Sequence, residues 1–172
     1  IGMGNIGREV AKRAKAFGCR IVYSDTVALP AELEEELEAE RLDLEELLPA
    51  ADIATLHVPL TPETTRLIDR ERLAMMKPDA HLLNLARGEV VDEAALAEAL
   101  GEGRLAGAGI DVFTREPVDP YNPLLASDKV ILSPHVSGGT NESRVRMLTI
   151  TMENVNRVLS GEKPLYVVNG VR

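Results

Sequence analysis

The stretch Ile1-Gly2-Met3-Gly4-Asn5-Ile6-Gly7-Arg8 decides how this chain is read. Its glycines fall in a G-x-G-x-x-G spacing. Gly2 allows a tight turn, Gly4 lets the backbone approach a pyrophosphate, and Gly7 lets the next helix pack close. Val10, Ala11, Ala14 and Phe17 then recur at helical spacing, with Arg8, Lys12, Arg13 and Lys15 elsewhere on the wheel, and Gly18 ends the helix. The positive end of that helix, near Asn5 and Ile6, is where a dinucleotide's diphosphate would rest. Ile21-Val22-Tyr23 reads as a strand, followed by Ser24 and Asp25. Asp25 stands 18 residues beyond Gly7, where a carboxylate accepts from ribose hydroxyls and repels a 2′-phosphate. No Arg or Lys stands just after it, so the sequence favours NAD over NADP.

Outward from this turn, strands and helices alternate. Glu32 to Glu46 is acidic with interspersed Leu, and reads as a solvated helical face or an irregular connection. A strand is expected from Ile53 to Val58, and Thr61-Pro62-Glu63 looks like a helix start: a hydroxyl cap, a ring with helical φ and an acid in the first turn. Leu73 to Met76 is stopped by Pro78, and His81 to Leu85 reads as a strand. Asp92 caps a helix from Glu93 to Leu100, ended by Gly101 and Gly103. A strand from Ala106 to Val112 leads into an irregular stretch with Pro117, Pro120 and Pro123. Val130 to Leu132 is a last strand before Pro134 and His135, and Asn141 to Leu159 is helical. This alternation predicts βαβ units on a doubly wound parallel sheet of the Rossmann type, an α/β fold. Only Ile1 precedes the glycine turn, so the first strand is expected to be largely missing and the sequence to be an internal segment.

Composition narrows the function classes. Of 172 residues, 45% are hydrophobic and 27% charged, which is globular composition, while aromatics at 3% leave an aliphatic core. A formal charge of −9 and no basic stripe argue against a nucleic-acid surface. The lone Cys19 forms no internal disulfide, which favours a reducing compartment, the cytoplasm. No apolar run has the length of a bilayer span, and no metal-binding cluster is read. A single histidine such as His57 or His81 reads, taken alone, as structural.

Five further motifs carry a specific resemblance. His57-Val58-Pro59-Leu60-Thr61-Pro62-Glu63-Thr64, Asn84-Leu85-Ala86-Arg87-Gly88-Glu89-Val90-Val91-Asp92, Gly109-Ile110-Asp111-Val112-Phe113, Glu116-Pro117 and Ser133-Pro134-His135 occur in this order. Together with the glycine turn they resemble the NAD-binding domain of the D-isomer-specific 2-hydroxyacid dehydrogenase family over nearly the whole chain. The resemblance implies a catalytic set of Arg87, Glu116 and His135. His135 would be the general acid and base, Glu116 would fix its tautomer, and Arg87 would grip a substrate carboxylate and polarise the adjacent carbonyl. It implies NAD contacts from Gly2, Gly4, Asn5, Ile6, Gly7 and Asp25 at the adenosine and diphosphate end. Contacts from His57, Val58, Pro59 and Thr64, and from Leu85, Ala86 and Arg87, would continue the site. Asp111, His135 and Gly138 would complete it, with Asp111 accepting from the nicotinamide carboxamide.

The resemblance also implies a small 2-oxo or D-2-hydroxy acid substrate of the phosphoglycerate, glyoxylate/hydroxypyruvate or lactate type, and a homodimer. Family members carry a second, substrate-binding domain built mostly from residues before the glycine turn, which this sequence lacks. Residues 1–152 are therefore expected to form the dinucleotide domain. Residues 153–172, with Gly161-Glu162 and Val168-Asn169, resemble the return toward that other domain. Alone, the segment should bind coenzyme poorly and turn over little or nothing. The competing reading is an NAD(H)-responsive binding or co-repressor-like module on the same fold.

Overall fold

The computed structural model describes residues 1–167; Val168 and Asn169 of the expected return stretch lie outside the described residues. The chain forms two compact units, Ile1–His135 and Val136–Arg172. The first contains α1 (Asn5–Ala16), β1 (Ile21–Tyr23), α2 (Ala31–Leu37), β2 (Ala39–Arg41), α3 (Leu44–Ala50) and β3 (Ile53–Leu56). It continues with α4 (Arg70–Met75), β4 (His81–Asn84), α5 (Glu93–Gly101), β5 (Gly107–Ile110) and β6 (Val130–Leu132). The second contains α6 (Asn141–Leu159).

Among the described residues all strand pairs are parallel: β1 with β2, and a four-stranded sheet in the order β3-β4-β5-β6. The opening residues link the two. Ile1 donates to the Thr55 carbonyl at 2.9 Å and accepts from the His57 N–H at 2.8 Å, while the Gly2 N–H donates to the Ser24 carbonyl at 2.9 Å. Ile1-Gly2 thus occupies the place between β1 and β3. The resulting order, β2-β1-Ile1-β3-β4-β5-β6, is that of a doubly wound dinucleotide-binding sheet.

Period-2 patterning orients the four-stranded sheet. Ala54 and Leu56 of β3, Leu82 of β4, and Ala108 and Ile110 of β5 point into the main core. There they join Leu48 of α3, Leu73 of α4, and Leu96 and Leu100 of α5. Leu48, Leu56, Leu82 and Leu96 are wholly buried, each contributing roughly 1.5–3 kcal/mol against exposure. Met3, Ala11, Ile21, Tyr23 and Leu37 form a smaller cluster between α1, α2 and β1.

Three expectations need correction. The acidic stretch is neither one helical face nor an irregular connection. It holds α2, then the strand β2, then α3, and Glu38 turns the chain with φ 50°. Ala39-Glu40-Arg41 has no β-rich letters, yet the β1 backbone supplies its pairing, with Arg41 opposite Tyr23. Pairing overrides propensity here. Thr61 does not start a helix. Its hydroxyl accepts from the Thr64 N–H at 3.3 Å, but the turn stops at Arg66, which has φ 52°. The Arg66 and Ile68 N–H groups donate to the carbonyls of Glu89 and Val90, drawing the chain into a bridge instead. The helix begins at Arg70, capped by Asp69, whose carboxylate accepts from the Arg72 N–H at 2.9 Å. The proline-rich stretch, expected to be irregular, contains one 3-10 turn, Pro123–Ala126, capped by Asn122.

The remaining elements stand where expected, with strands β3, β4 and β5 shorter by a residue or more. Asp92 caps α5 through the Ala95 N–H at 3.0 Å. Thr140 caps α6 through the Ser143 N–H at 3.1 Å. Within the second unit, Asn154 ties down the return stretch by accepting from the Leu165 N–H at 2.7 Å and donating to the Leu165 carbonyl at 3.2 Å. Among the described residues no helix is long and apolar enough to cross a membrane.

Candidate active site

The glycine turn is shaped by close approach. Gly2 has φ +85°, and a Cβ there would lie 2.8 Å from the His57 carbonyl carbon and oxygen. A Cβ on Gly7 would lie 2.2 Å from the Gly2 carbonyl oxygen, so α1 can meet the turn only through glycine. Gly4 differs: a Cβ there would meet nothing within 4 Å. Its missing side chain leaves open space on the side where a ligand would approach. No side chain caps α1 and its first turn holds no acid, so the amides of Asn5, Ile6 and Gly7 are suited to an anion. This cradle fits a dinucleotide diphosphate.

Asp25 lies beside that cradle. Its carboxylate accepts from the Met3 N–H at 2.6 Å and the Val27 N–H at 3.0 Å. Burial pushes its pKa up, but these bonds, with one from the Thr26 hydroxyl, outweigh burial and leave the carboxyl below its ordinary value. It is an anion at neutral pH. Tyr23, which the sequence reading left as an ordinary strand residue, fixes the turn beyond. Its buried hydroxyl donates to Glu34 at 2.5 Å and accepts from the Leu29 N–H at 2.9 Å.

On the other side of the glycines stands the loop after β3. Thr64 closes it, its hydroxyl donating to the Pro59 carbonyl at 2.6 Å, with Val58 half-buried and Pro59 exposed. The His57 ring sits 3.1 Å from the Thr55 hydroxyl, and burial, followed by the positive charge of the Ile1 amino group, holds its pKa down at about 4, so it is neutral at pH 7. His81 opens β4, at the strand end opposite these loops.

The three residues of the expected catalytic set come from loops at the carboxyl ends of β4, β5 and β6, where open α/β sheets bind ligands. Buried Asn84 shapes the first loop, accepting from the Ala86 N–H at 3.1 Å and donating to the Arg87 carbonyl at 2.9 Å. Leu85 is thereby turned out and Ala86 in. Arg87 is exposed, with Nη1 donating to the Ala86 carbonyl at 2.6 Å. A Cβ on Gly88 would fall 2.0 Å from the Phe113 carbonyl carbon. The Arg87 loop therefore lies directly on the loop that carries Glu116. Asn84 and Gly88 are positioning residues that sequence reasoning left without roles. A polar Asn84 ending an apolar strand, with Gly88 four residues on, was the available signal.

Glu116 is held from both sides. Its Oε1 accepts from the Phe113 N–H at 3.1 Å, and its Oε2 lies 2.8 Å from His135 Nδ1. The His135 hydrogen bond, then the Phe113 one, hold its pKa below the usual glutamate value. His135 itself has φ 55°, a conformation that costs a non-glycine residue energy and needs outside support. That support is its N–H, which donates to the Asp111 carbonyl at 2.7 Å. The Asp111 side chain is buried and accepts from the Ser133 hydroxyl at 2.5 Å. Gly138 belongs to the second unit, where its carbonyl accepts from the Ser143 hydroxyl at 2.6 Å.

A fixed imidazole–carboxylate pair beside an arginine loop, on a sheet with a diphosphate cradle, suits reduction of a carbonyl next to a carboxylate. The description "D-isomer specific 2-hydroxyacid dehydrogenase, NAD binding domain" matches residues 1–137. The chain belongs to this family. The glyoxylate reductase of Korarchaeum cryptofilum is 47% identical over 169 residues, covering 98% of this chain and 51% of the relative. The D-3-phosphoglycerate dehydrogenase of Methanocaldococcus jannaschii is also 47% identical, over 98% of this chain and 32% of its own length. The structure of D-lactate dehydrogenase with NAD+ from Lactobacillus jensenii superimposes with a TM-score of 0.90 at 36% identity. It covers 98% of this chain and 54% of that one. The chain thus spans about half the length of such glyoxylate reductases.

Proposed function

We propose that the intact protein is an NAD-dependent D-2-hydroxyacid dehydrogenase, interconverting a small 2-oxo acid and the corresponding 2-hydroxy acid. The observation that carries this reading is the 2.8 Å contact between His135 Nδ1 and Glu116 Oε2, on loops at the carboxyl end of the sheet. Glu116 selects the tautomer with the proton on Nδ1 and stabilises the charged ring, leaving Nε2 to give a proton to the substrate oxygen. Arg87 pairs with the substrate carboxylate and counters negative charge growing on the carbonyl oxygen.

The cradle of Gly2, Gly4 and Gly7, the Asp25 carboxylate and the His57-Val58-Pro59 loop would hold the coenzyme, with Asp111 toward its nicotinamide end. When bound, NAD(H) supplies or accepts the hydride equivalent. Asp25 favours NAD over NADP, because an anion beside the ribose accepts hydroxyls and repels phosphate. Glyoxylate, phosphoglycerate and lactate, named for the relatives, share the 2-oxo or 2-hydroxy carboxylate that Arg87 and His135 would read. Two finer readings accompany this one: a cytoplasmic location, supported by the lone cysteine, and a homodimer, supported by the family resemblance. Sedimentation of the intact protein tests the dimer.

The deciding assay is NADH oxidation by the intact protein with glyoxylate, hydroxypyruvate and pyruvate. Turnover with at least one is expected. NADH binding without turnover on any 2-oxo acid would replace the enzyme with a coenzyme-responsive binding module.

A further inference from the structure

Arg41 enters the adenosine end of the site from a strand that the sequence did not reveal. β2 lies beside β1 with Arg41 opposite Tyr23, and its Nη2 donates to the Asp25 main-chain carbonyl at 2.8 Å. A cation sixteen residues away in sequence is thereby anchored on the residue that reads the ribose. Among the described residues Arg41 forms no ion pair, and its Nε and Nη1 make no hydrogen bond. The neighbouring Glu40 is committed to Arg20 at 2.5 Å. The guanidinium is exposed, pinned by one nitrogen, and keeps two donor groups for an anion.

We infer that Arg41 is a specificity-determining partner of Asp25: a ready anchor for a 2′-phosphate, kept from that role by the Asp25 carboxylate. This rests on the coenzyme reading above. With Asp25 present, a 2′-phosphate carrying close to two negative charges meets a fixed anion, and the site takes a 2′-hydroxyl. Without that carboxylate the nearest charge on the strand ends is a guanidinium, whose planar fork matches phosphate oxygens in pairs. Coenzyme choice then depends on the balance between two residues on adjacent strands, and changing Asp25 alone is enough to tip it.

The test is a double-mutant cycle on the intact protein, reading equilibrium binding of NADH and NADPH by coenzyme fluorescence. Asp25→Ser should raise the ratio of NADPH to NADH affinity by about tenfold or more, the scale of a charge-assisted hydrogen bond. Adding Arg41→Ala should reverse about tenfold of the NADPH gain while NADH affinity changes far less, and Arg41→Lys should retain part of the gain. An unchanged affinity ratio between Asp25→Ser and Asp25→Ser/Arg41→Ala would overturn the assignment. So would an equal loss of both coenzymes, which would mark Arg41 as a backbone prop for Asp25. Thermal melts of each variant separate that result from misfolding. Failure of the unaltered protein to bind NADH is a different result and would remove the coenzyme reading itself.

Discussion

Gly88→Ala is the perturbation that most directly probes how the loops carrying Arg87 and Glu116 are held together. A Cβ at this position would stand 2.0 Å from the Phe113 carbonyl carbon, 2.2 Å from the Thr114 nitrogen and 2.3 Å from the Phe113 oxygen. Ordinary contact begins at 3.4 Å, so the two backbones must part by about 1.4 Å, from 2.0 to 3.4 Å. All three clashing atoms are main chain, so no rotamer change relieves them. Overpacking of this kind costs roughly 1–3 kcal/mol. The displacement has a second effect, because Arg87 precedes Gly88, and Phe113 donates the hydrogen bond that holds Glu116. A misplacement of about 1 Å between groups that act together lowers turnover by about a hundredfold. Urea unfolding and steady-state kinetics on the intact protein measure the two effects. Wild-type stability and kcat/KM in Gly88→Ala would refute the claim that this glycine sets the spacing of the loops.

Further outcomes follow from the same geometry. His135→Ala should reduce turnover about a hundredfold or more, the scale of a lost general acid, and equal rates in variant and wild type would remove the role. Asn84→Ala leaves the Ala86 N–H without its partner and takes one of two donors from the Arg87 carbonyl, which keeps the Val90 N–H at 3.2 Å. It should destabilise by roughly 1–3 kcal/mol and raise KM through a loosened Arg87 loop, and an unaltered urea midpoint would contradict this. The His57 ring should titrate near pH 4 by NMR. Its folded pKa is depressed below 6.5, so the stability it contributes is complete above that value and is lost as pH falls toward about 4. An NMR midpoint near 6.5 would show that the ring is not buried. Glu116 is depressed as well, so the stabilising effect of its bonds to His135 and Phe113 is present above about 4.5 and fades as acid protonates the carboxyl. Glu116→Gln should flatten that acid loss, and an unchanged acid limb would count against the pair.

Sequence alone was enough for features whose physics is local. Three glycines with an immediate amphipathic helix specify a phosphate turn, because only glycine tolerates the φ of Gly2 and the approach of Gly7. Asp92 was legible as a cap because a cap bonds an N–H three residues on. The alternation of apolar strands and helices was enough for the parallel sheet, and five motifs in order singled out Arg87, Glu116 and His135 as candidates. Tertiary structure decided what depends on partners distant in the chain. Ala39-Glu40-Arg41 is a strand only because β1 offers its backbone, and Thr61 fails to start a helix because Glu89 and Val90 compete for the next amides. Arg41 reaches Asp25, and Gly88 presses on Phe113, by contacts that no short window of residues encodes. Local rules fix a residue's conformation, while its neighbours across the sheet depend on which strands pair and in what register.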